Sequence, residues 1–461
     1  MDFLSGMLMR FGLPLAPAFI IPSIIFSFIL IFSMYTLFYL VSNSKAASIL
    51  AINIFFFSSG LGFINFIYDF IHSFNLDLFF HPIKQYSQFN NYDWYTGNVI
   101  VGLIIPQRSF LMGLSLGILS LSFLIFVLQK TDLKEKYQKA MLVTSGVIAG
   151  FLPIIHPHSF IALVIIGGLL TVVNLKRIKE LLFFVVPAGV ISSIFYFIFI
   201  KGGIQTSSFV TFLPGWTSKG LLDFLYMWAL LWGLAIPLSI VGLYWIFKKS
   251  TPTIKAFFVS FFIIFMLGNL ILFQPVTWDN TKIFWWAYIG FGILSSIVIV
   301  RIFKKNVFYK TMSIIIFISL IFTGILEINN FLNFDKNTYL LTPTSDINLG
   351  IKIRNSTNPL DIFVTASQHN TLVMVWAARP ILLGYTAWVW NFGFNYQQRE
   401  SDVDKIFLGG EESKILLKKY NVKYLLIGPT EFSDLHANEA YFQYNYPLAF
   451  SNDNNRIYKI K

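Results

Sequence analysis

Residues 124–163, LIFVLQKTDLKEKYQKAMLVTSGVIAGFLPIIHPHSFIAL, decide the fold of this chain. One apolar run ends at a connector with four lysines, and the next apolar run ends at the turn His156-Pro157-His158. Basic residues close to membrane helices stay on the cytoplasmic side during insertion. The lysine connector is therefore predicted to face the cell interior, and the histidine turn is predicted to face the opposite side.

The same alternation continues through the first 326 residues, where about ten apolar stretches are separated by connectors that are either strongly basic or nearly uncharged. A helix crosses the hydrocarbon with about 20 apolar residues, and in lipid it satisfies its backbone polar groups internally. With Lys45 inside, Met1 and the end of the tenth helix lie outside. The predicted spans are 15–41, 46–71, 107–128, 140–155, 159–175, 181–200, 224–247, 256–273, 283–300 and 309–326.

Composition agrees with a polytopic protein of the cell (plasma) membrane, whose partner is the lipid bilayer. The chain is 56% hydrophobic and only 12% charged, unlike an ordinary soluble domain. Its net charge of +12 belongs to the cytoplasmic connectors, so it requires no nucleic-acid partner. The absence of cysteine excludes disulfides and thiolate metal sites.

From Glu327 onward the apolar runs become short and the charges balance. We predict a domain boundary here: a transmembrane helical domain over 1–326 and a small extracytoplasmic α/β domain over 327–461. Ser345 is predicted to cap a helix that ends near Asn355. The other predicted elements are strands at 361–366, 380–385 and 422–428, helices near 400–408 and 411–420, and a hairpin near 447–460.

Unusual polar residues gather on the predicted outer face, including the loops 73–106 and 201–223. Arg108, at the entry to the third span, could bind a phosphate through its planar guanidinium, or it could extend to lipid headgroups. His156 and His158 could hydrogen-bond a phosphate or a sugar, ligate a metal, or simply form the turn. No nearby carboxylate completes a metal set, and no cofactor is predicted.

The densest polar cluster is Trp278-Asp279-Asn280-Thr281-Lys282, directly before an apolar run. Asp279 could orient a hydroxyl, act as a base or pair with Lys282, while Trp278 offers a face for a sugar ring; Asn280 belongs to the same candidate site. The alternative is a helix N-cap.

A second patch suits carbohydrate or lipid-phosphate contact, or seating at the membrane interface. It consists of Trp376, Arg379, Trp388, Trp390, Asn391, Asn395, Arg399 and Glu400.

Several runs, taken in order, carry a resemblance to a known superfamily. They are PQRSFLMGLSLGIL (106–119), AGFLPIIHPHSFIAL (149–163), FQPVTWDNTKIFWW (273–286), RPILLGYTAWVWNFGFNYQQRESDVDKIFLGG (379–410) and LLKKYNVKYLLIGP (416–429). The set resembles the C-terminal two-thirds of large bacterial and archaeal membrane proteins. Those proteins are similar to the GT-C glycosyltransferases, which include protein O-mannosyltransferases and lipid A aminoarabinose transferases.

The resemblance implies inverting transfer of a sugar from a polyprenyl-phosphate donor, in an outward-facing cavity between the helices and the outer domain. An Asp would deprotonate the acceptor, and Arg108, Lys282 and His158 would neutralise the departing phosphate. The superfamily has metal-dependent and metal-independent branches. No motif specifies the acceptor or the sugar.

In the superfamily the acidic base lies in the first outer loop after the first helix, and nothing in this chain matches that block. Either an N-terminal part is missing, or the base is Asp279, Asp93 or Asp2, in that order of preference. Two other classes stay open: a non-catalytic protein that binds lipid phosphate or glycan, and a transporter of lipid-linked sugars. The nearly uncharged centres of the spans argue against ion-coupled transport.

Overall fold

The computed structural model describes residues 1–89, 91–94, 97–130, 133–201 and 210–460. Parts of the predicted outer loops 73–106 and 201–223 lie outside these ranges. The described residues divide into two compact units, one ending at Asn337 and the other beginning at Thr338. Each unit has its own hydrophobic core.

The first unit is helical. Its two short strands, β1 (Thr211–Phe212) and β2 (Ile271–Leu272), pair antiparallel. Single π-helical turns lie at Ile100–Ile104 and Tyr196–Ile200. Its helices are α1 (Asp2–Arg10), α2 (Leu15–Ser42), α3 (Lys45–Phe57), α4 (Phe63–Ser73), α5 (Asp77–Phe80), α6 (Arg108–Gln129), α7 (Glu135–Ile155), α8 (Pro157–Val173), α9 (Ile178–Phe195), α10 (Leu221–Trp232), α11 (Ala235–Lys249), α12 (Pro252–Gly268), α13 (Thr281–Phe303), α14 (Val307–Phe331) and α15 (Phe334–Asn337).

Six helices of the described residues are long and apolar enough to cross a membrane, or seven when the bent pair α10 and α11 is counted as one span. Shorter apolar helices occur at α3, α8 and α12. The membrane character predicted from the sequence is thus supported, whereas the count of ten spans is not confirmed. The short helices explain part of the difference, because 13 or 17 residues fall below the usual length of a span.

Two of the predicted spans are interrupted. The span at 46–71 breaks between Phe57 and Phe63, where the sequence Ser-Ser-Gly-Leu-Gly leaves the helix, and the amide of Asn98 donates to the freed carbonyl of Ser58 at 3.2 Å. The span at 224–247 bends by 89° at Gly233, whose positive φ of 52° favours glycine. The two breaks meet, because the backbone N–H of Leu61 donates to the carbonyl of Leu230 at 2.8 Å.

Helix α13 is the centre of the first unit, and 94% of the most apolar 18-residue stretch of this span is buried. It packs against α3, α8, α11, α12 and α14. An apolar sequence without a polar face is what such a central position requires. Because α13 begins at Thr281, inside the cluster 278–282, the cluster belongs in part to the most buried helix of the unit.

The second unit is built on a sheet with the strand order β3-β4-β6-β5. Strand β4 pairs parallel with β3 and antiparallel with β6. Its side chains alternate between two cores, with Leu425 and Ile427 on one face and Tyr424 and Leu426 on the other. The strands are β3 (Ile362–Val364), β4 (Val422–Ile427), β5 (Leu448–Ser451) and β6 (Arg456–Lys459), and the helices are α16 (Thr344–Ser356), α17 (Leu372–Val375), α18 (Thr386–Asn391), α19 (Gln397–Leu408), α20 (Gly410–Lys419), α21 (Pro429–Ser433) and α22 (Glu439–Asn445).

Most predicted elements of this unit are present, with two corrections. The helix predicted from Ser345 begins at Thr344 and its N-cap is Pro343, so the Ser345 side chain is not the cap. The strand predicted at 380–385 is reduced to one bridge between Phe363 and Ile381. Pro380 cannot donate a hydrogen bond to a sheet, which limits pairing at that point.

Candidate functional site

The predicted histidine turn is a tight junction between α7 and α8. His156 is extended, with φ −160°, and Pro157 occupies the first position of α8, where its missing N–H is not needed. The Nδ1 atom of His156 accepts a hydrogen bond from the backbone N–H of Ser159 at 3.2 Å, and it is hydrogen-bonded to the Oγ of Ser159 at 2.8 Å. His156 is therefore the N-cap of α8, and its ring orientation is fixed from one side.

Two glycines one turn apart on α6 make room for this junction. A Cβ added at Gly113 would collide with the Cβ of His156, and one added at Gly117 would lie 2.7 Å from the indole of Trp286. That indole donates from Nε1 to the Oγ of Ser159 at 2.9 Å. Helices α6, α8 and α13 therefore approach each other closely, and hydrogen bonds through Ser159 connect α13 to His156.

The predicted cluster Trp278–Lys282 forms a 3-10 turn at Thr277–Asn280 followed by the first turn of α13. The side chain of Asn280 is hydrogen-bonded inside the protein. It accepts from the N–H of Phe273 and donates to the carbonyls of Gly268 and Ile271. These bonds tie the end of α12 to the start of α13. The structure thus gives Asn280 a positioning task, and its predicted contact with substrate stays a prediction.

Asp279 and Lys282 form a buried ion pair. Lys282 Nζ lies 2.7 Å from Asp279 Oδ1, and the two side chains are 12% and 2% exposed. The same ammonium lies 5.4 Å from the ring centre of Trp278. The second oxygen of the carboxylate, Oδ2, is buried and has no hydrogen-bond partner among the described residues. One lone-pair face of Asp279 is thus available for a proton donor.

Asp93, the second predicted base, lies beside this turn because its carboxylate accepts from the hydroxyl of Thr277. Trp216 Nε1 donates to the carbonyl of Thr277 at 2.9 Å. The neighbouring Tyr92 donates to the carboxylate of Asp223 at 2.5 Å, and burial together with this bond raises the pKa of Tyr92 to about 12. The loop that carries Asp93 is thus held to the rest of the unit by several bonds.

The two histidines belong to the same neighbourhood as the ion pair. Their ring centres are 5.4 Å apart, and Phe273, whose N–H is bonded to Asn280, contacts the ring of His158. Phe273 thus links the turn of the histidines to the turn that carries Asp279 and Lys282. We use the name histidine–aspartate cluster for His156, His158, Asp279 and Lys282.

Several buried polar atoms of this cluster lack partners. The Nε2 atoms of both histidines are buried and unbonded within the described part of the chain, as is Asp279 Oδ2. An unpaired buried polar atom costs about 1–3 kcal/mol, so native structures rarely retain several together without a ligand or ordered water. The cluster therefore has the character of a binding site for a group with both donors and acceptors.

Arg108 lies at the start of α6 and is largely bonded. Its guanidinium contacts the carboxylate of Asp2 and donates to Ser5 Oγ at 2.6 Å and to the carbonyl of Phe19 at 3.0 Å. Its Nε is buried and has no partner among the residues that the structure describes. It lines an apolar groove of about 540 Å³ between α2 and α6, which also contains Ser23. Asp2, the third predicted base, is thus paired and exposed.

In the second unit, Arg379 is only 6% exposed and makes five hydrogen bonds. It donates to the hydroxyl and carbonyl of Thr357 and to the carbonyls of Arg354, Ala377 and Ala378. These bonds satisfy carbonyls at the end of α16, where a cation also complements the helix dipole. The surroundings are those of a structural arginine.

The remaining members of the predicted patch are dispersed over this unit. Trp376 packs against the core that includes Leu349, although its Nε1 is buried without a partner in the described ranges. Trp388 and Trp390 are 49% and 38% exposed on the short helix α18. Arg399 stacks over Tyr420, and Glu400 is half-buried. The exposed tryptophans remain the members of the patch that are free to contact another molecule.

Among the residues that the structure describes, no three His, Asp or Glu side chains lie close enough together to hold a metal ion. Sequence reasoning missed Ser159, Trp286 and Thr277, which position the cluster. The glycines at 113 and 117, spaced by one helical turn, were the available signal of close helix contact.

Comparison with solved structures gives the fold a precedent. The oligosaccharyltransferase of Archaeoglobus fulgidus, solved in complex with Zn and sulfate, matches with a TM-score of 0.50 and 12% identity, covering 90% of this chain and 56% of that one. ArnT from Cupriavidus metallidurans in the apo state matches with a TM-score of 0.48 and 10% identity, covering 99% and 86%. No protein-family model and no curated protein sequence matches the chain.

Both of these proteins are GT-C glycosyltransferases. The resemblance to that superfamily, predicted from the ordered sequence runs, is confirmed at the level of the fold by the oligosaccharyltransferase. The chain spans a little over half the length of that enzyme.

Proposed function

We propose that this protein is a membrane glycosyltransferase that transfers a sugar from a polyprenyl-phosphate donor to an acceptor on the extracytoplasmic face. One observation carries the proposal: among the described residues, the buried Asp279–Lys282 pair has a carboxylate oxygen without a partner, and Phe273 links its turn to two histidines whose Nε2 atoms also lack partners. The GT-C fold supports the same reaction class. ArnT, a fold neighbour, has been solved bound to undecaprenyl phosphate.

In the proposed reaction, an acceptor O–H or N–H donates to Asp279 Oδ2 and its oxygen or nitrogen attacks the anomeric carbon. The bond from that carbon to the phosphate oxygen breaks with inversion, and polyprenyl phosphate leaves with the electron pair. The proton stays on Asp279, so the cluster passes from neutral to a net charge of about +1 on Lys282. This change favours the transition state because negative charge develops on the phosphate at the same moment.

The groove between α2 and α6 supports a lipid-linked donor. Its lining over Phe19–Ile31 is apolar apart from Ser23 and Ser27. At one end, Arg108 has a buried Nε that finds no partner in the described part of the chain. Those 13 residues of helix extend about 18 Å, enough for a few isoprene units. We propose that the groove holds the isoprenoid chain and that Arg108 contacts the phosphate.

We further propose that the second unit, together with the segment from Glu327, is extracytoplasmic and contacts the acceptor or the membrane interface through Trp388 and Trp390. Their exposed aromatic faces support either contact. Arg379 contributes to this unit by supporting α16 rather than by binding.

A second candidate is a protein that binds lipid phosphate or glycan without turnover. The observation that favours it is the Asp279–Lys282 ion pair itself, because a carboxylate held by a buried ammonium can accept a hydrogen bond from a ligand without further chemistry. The same residues would then hold a ligand without accepting its proton. Measurement of transfer separates this candidate from the enzyme.

The test is Asp279→Asn, assayed in membranes or detergent with a polyprenyl-phosphate sugar donor. We expect transfer to fall by at least about 100-fold, the usual contribution of a general base. Since this change leaves Lys282 buried without its partner, the neutral double variant Asp279→Asn with Lys282→Gln provides a folded comparison. Asp93→Asn is the matched control beside the same turn.

Transfer that persists in folded Asp279→Asn protein would remove Asp279 as the base. If Asp93→Asn alone abolished transfer, Asp93 would take that role. Absence of transfer by the wild-type protein, together with retained binding of polyprenyl phosphate, would favour the non-catalytic candidate.

A further inference from the structure

We propose that Trp286 and Ser159 hold His156 in one tautomer, so that its Nε2–H is a directed hydrogen-bond donor to a phosphoryl oxygen of the donor substrate. The proposal deepens the function above and rests on it for the identity of the ligand. It assigns His156 a binding role, and Ser159 and Trp286 positioning roles. None of the ordered sequence runs indicated this relay.

The direction of the relay follows from what each group can do. An indole N–H only donates, so the Oγ of Ser159 is the acceptor in its 2.9 Å contact with Trp286 Nε1. The hydroxyl proton of Ser159 is then available for His156 Nδ1 at 2.8 Å, and the backbone N–H of Ser159 points at the same nitrogen at 3.2 Å. The backbone N–H is shared with the carbonyl of His156 at 3.0 Å. Because a backbone N–H can only donate, its direction toward Nδ1 assigns the unprotonated nitrogen to Nδ1.

It follows that the proton of neutral His156 is on Nε2. That atom is buried, the residue is 4% exposed, and no acceptor for it exists among the described residues. A fixed N–H without an acceptor matches a ligand oxygen that can only accept. Phosphoryl oxygens meet this condition.

The competing explanation is that His156 serves only as the N-cap of α8. The two explanations make opposite predictions for two conservative variants. His156→Asn retains a short side-chain acceptor, one of the best N-caps, but has no distal N–H. His156→Gln places an amide N–H near the position of Nε2 but is a poor cap. A capping role therefore favours Asn, and a donor role favours Gln.

The experiment measures binding of farnesyl phosphate to the full-length protein in detergent, beside thermal unfolding of each variant. We expect His156→Asn to unfold near the wild-type temperature and to bind farnesyl phosphate roughly tenfold more weakly, the cost of one hydrogen bond to a charged group. His156→Gln should unfold at a lower temperature and yet bind within about threefold of wild type, since it keeps the donor. Farnesol, which lacks the phosphate, should bind all three proteins alike.

Equal binding by the two variants, or weaker binding by the Gln variant, would overturn the proposal. Nitrogen-15 spectra of labelled histidine give a second test that requires no variant at position 156. We expect the wild-type spectrum to show His156 protonated at Nε2. That signal should be lost or shifted in Ser159→Ala and Trp286→Phe. The matched control is Ser145→Ala, which removes the buried Ser120–Ser145 bond of 2.9 Å between α6 and α7.

An unshifted His156 signal in both positioning variants, or protonation at Nδ1 in wild type, would contradict the relay. These outcomes are distinct from failure of the proposed function. Protein that binds farnesyl phosphate with the predicted pattern but transfers no sugar would disprove glycosyl transfer and leave the assignment of His156 intact.

Discussion

Asp279 in the first unit and Arg379 in the second are both buried charged residues that the sequence marks as candidates for binding. Their surroundings differ. Arg379 makes five hydrogen bonds within its own unit. Among the described residues, Asp279 has one partner and one buried oxygen without a hydrogen bond. Burial and charge therefore do not distinguish a ligand-binding residue from one that supports the fold. The distinguishing property is a buried polar atom that has no hydrogen-bond partner.

Among the variants that test this comparison, Arg379→Ala is expected to change stability most. The change leaves the carbonyls of Arg354 and Thr357 without their donor and should destabilise the second unit by about 3 kcal/mol. Hydrogen exchange of α16 in the purified protein measures the loss. The control Arg354→Ala alters an exposed side chain and should change stability by less than about 0.5 kcal/mol.

Unchanged exchange in α16 after Arg379→Ala would mean that the five bonds contribute little. Arg379 would then return to the group of candidate binding residues, and the contrast with Asp279 would disappear.

A smaller effect is expected from Gly113→Ala in the first unit. The added methyl group would meet the Cβ of His156, and relief of that contact should cost about 1–3 kcal/mol and displace the histidine turn. Gly168→Ala on α8 is the matched control, because no atom lies within 4 Å of its added Cβ. Thermal unfolding and farnesyl phosphate binding of the two variants provide the comparison; equal behaviour would contradict close packing at Gly113.

The smallest effect concerns Asp402, a charged residue whose bonds, like those of Arg379, are all internal. Hydrogen bonds from Lys419, and then from Tyr420, lower the pKa of Asp402 to about 2 from its ordinary 3.8. A lowered folded-state pKa stabilises the protein above about pH 4, and this contribution is lost as the pH falls towards 2. Because Lys419 is half exposed, we expect about 1 kcal/mol.

Denaturation of wild type and Asp402→Asn at pH 6 and at pH 2.5 checks this expectation. The stability difference between the two proteins should shrink at the lower pH. A difference that stays constant would show that the ionised form of Asp402 is not what stabilises the unit.

The sequence predicted the class of fold well because apolar runs and basic connectors report directly on membrane insertion. It could not predict the breaks at 58–62 and at Gly233, since both lie inside apolar runs and depend on each other through the Leu61–Leu230 bond. In the second unit, β4 and its neighbouring helices follow from local periodicity. The weak pairing at Ile381 could not be predicted in this way, because it depends on a strand that is distant in the sequence.

The candidate site was predictable in outline. His156, His158, Asp279 and Lys282 stand out as polar residues beside apolar runs, and the structure brings them together. Their partners were not predictable, because Ser159 and Trp286 are 127 residues apart and appear in the sequence as ordinary members of apolar helices. Nor could the sequence separate Arg379 from Arg108, since the surroundings of a guanidinium are set by tertiary packing.

Photocrosslinking locates the donor most directly. A polyprenyl-phosphate sugar with a photoreactive group beside the phosphate would be irradiated with the purified protein, and the modified peptides identified by mass spectrometry. We expect adducts within 106–119, 149–163 and 273–286, reduced by competition with unlabelled farnesyl phosphate. Adducts confined to 376–400, with none in the histidine–aspartate cluster, would contradict the claim that this cluster is where the sugar donor binds.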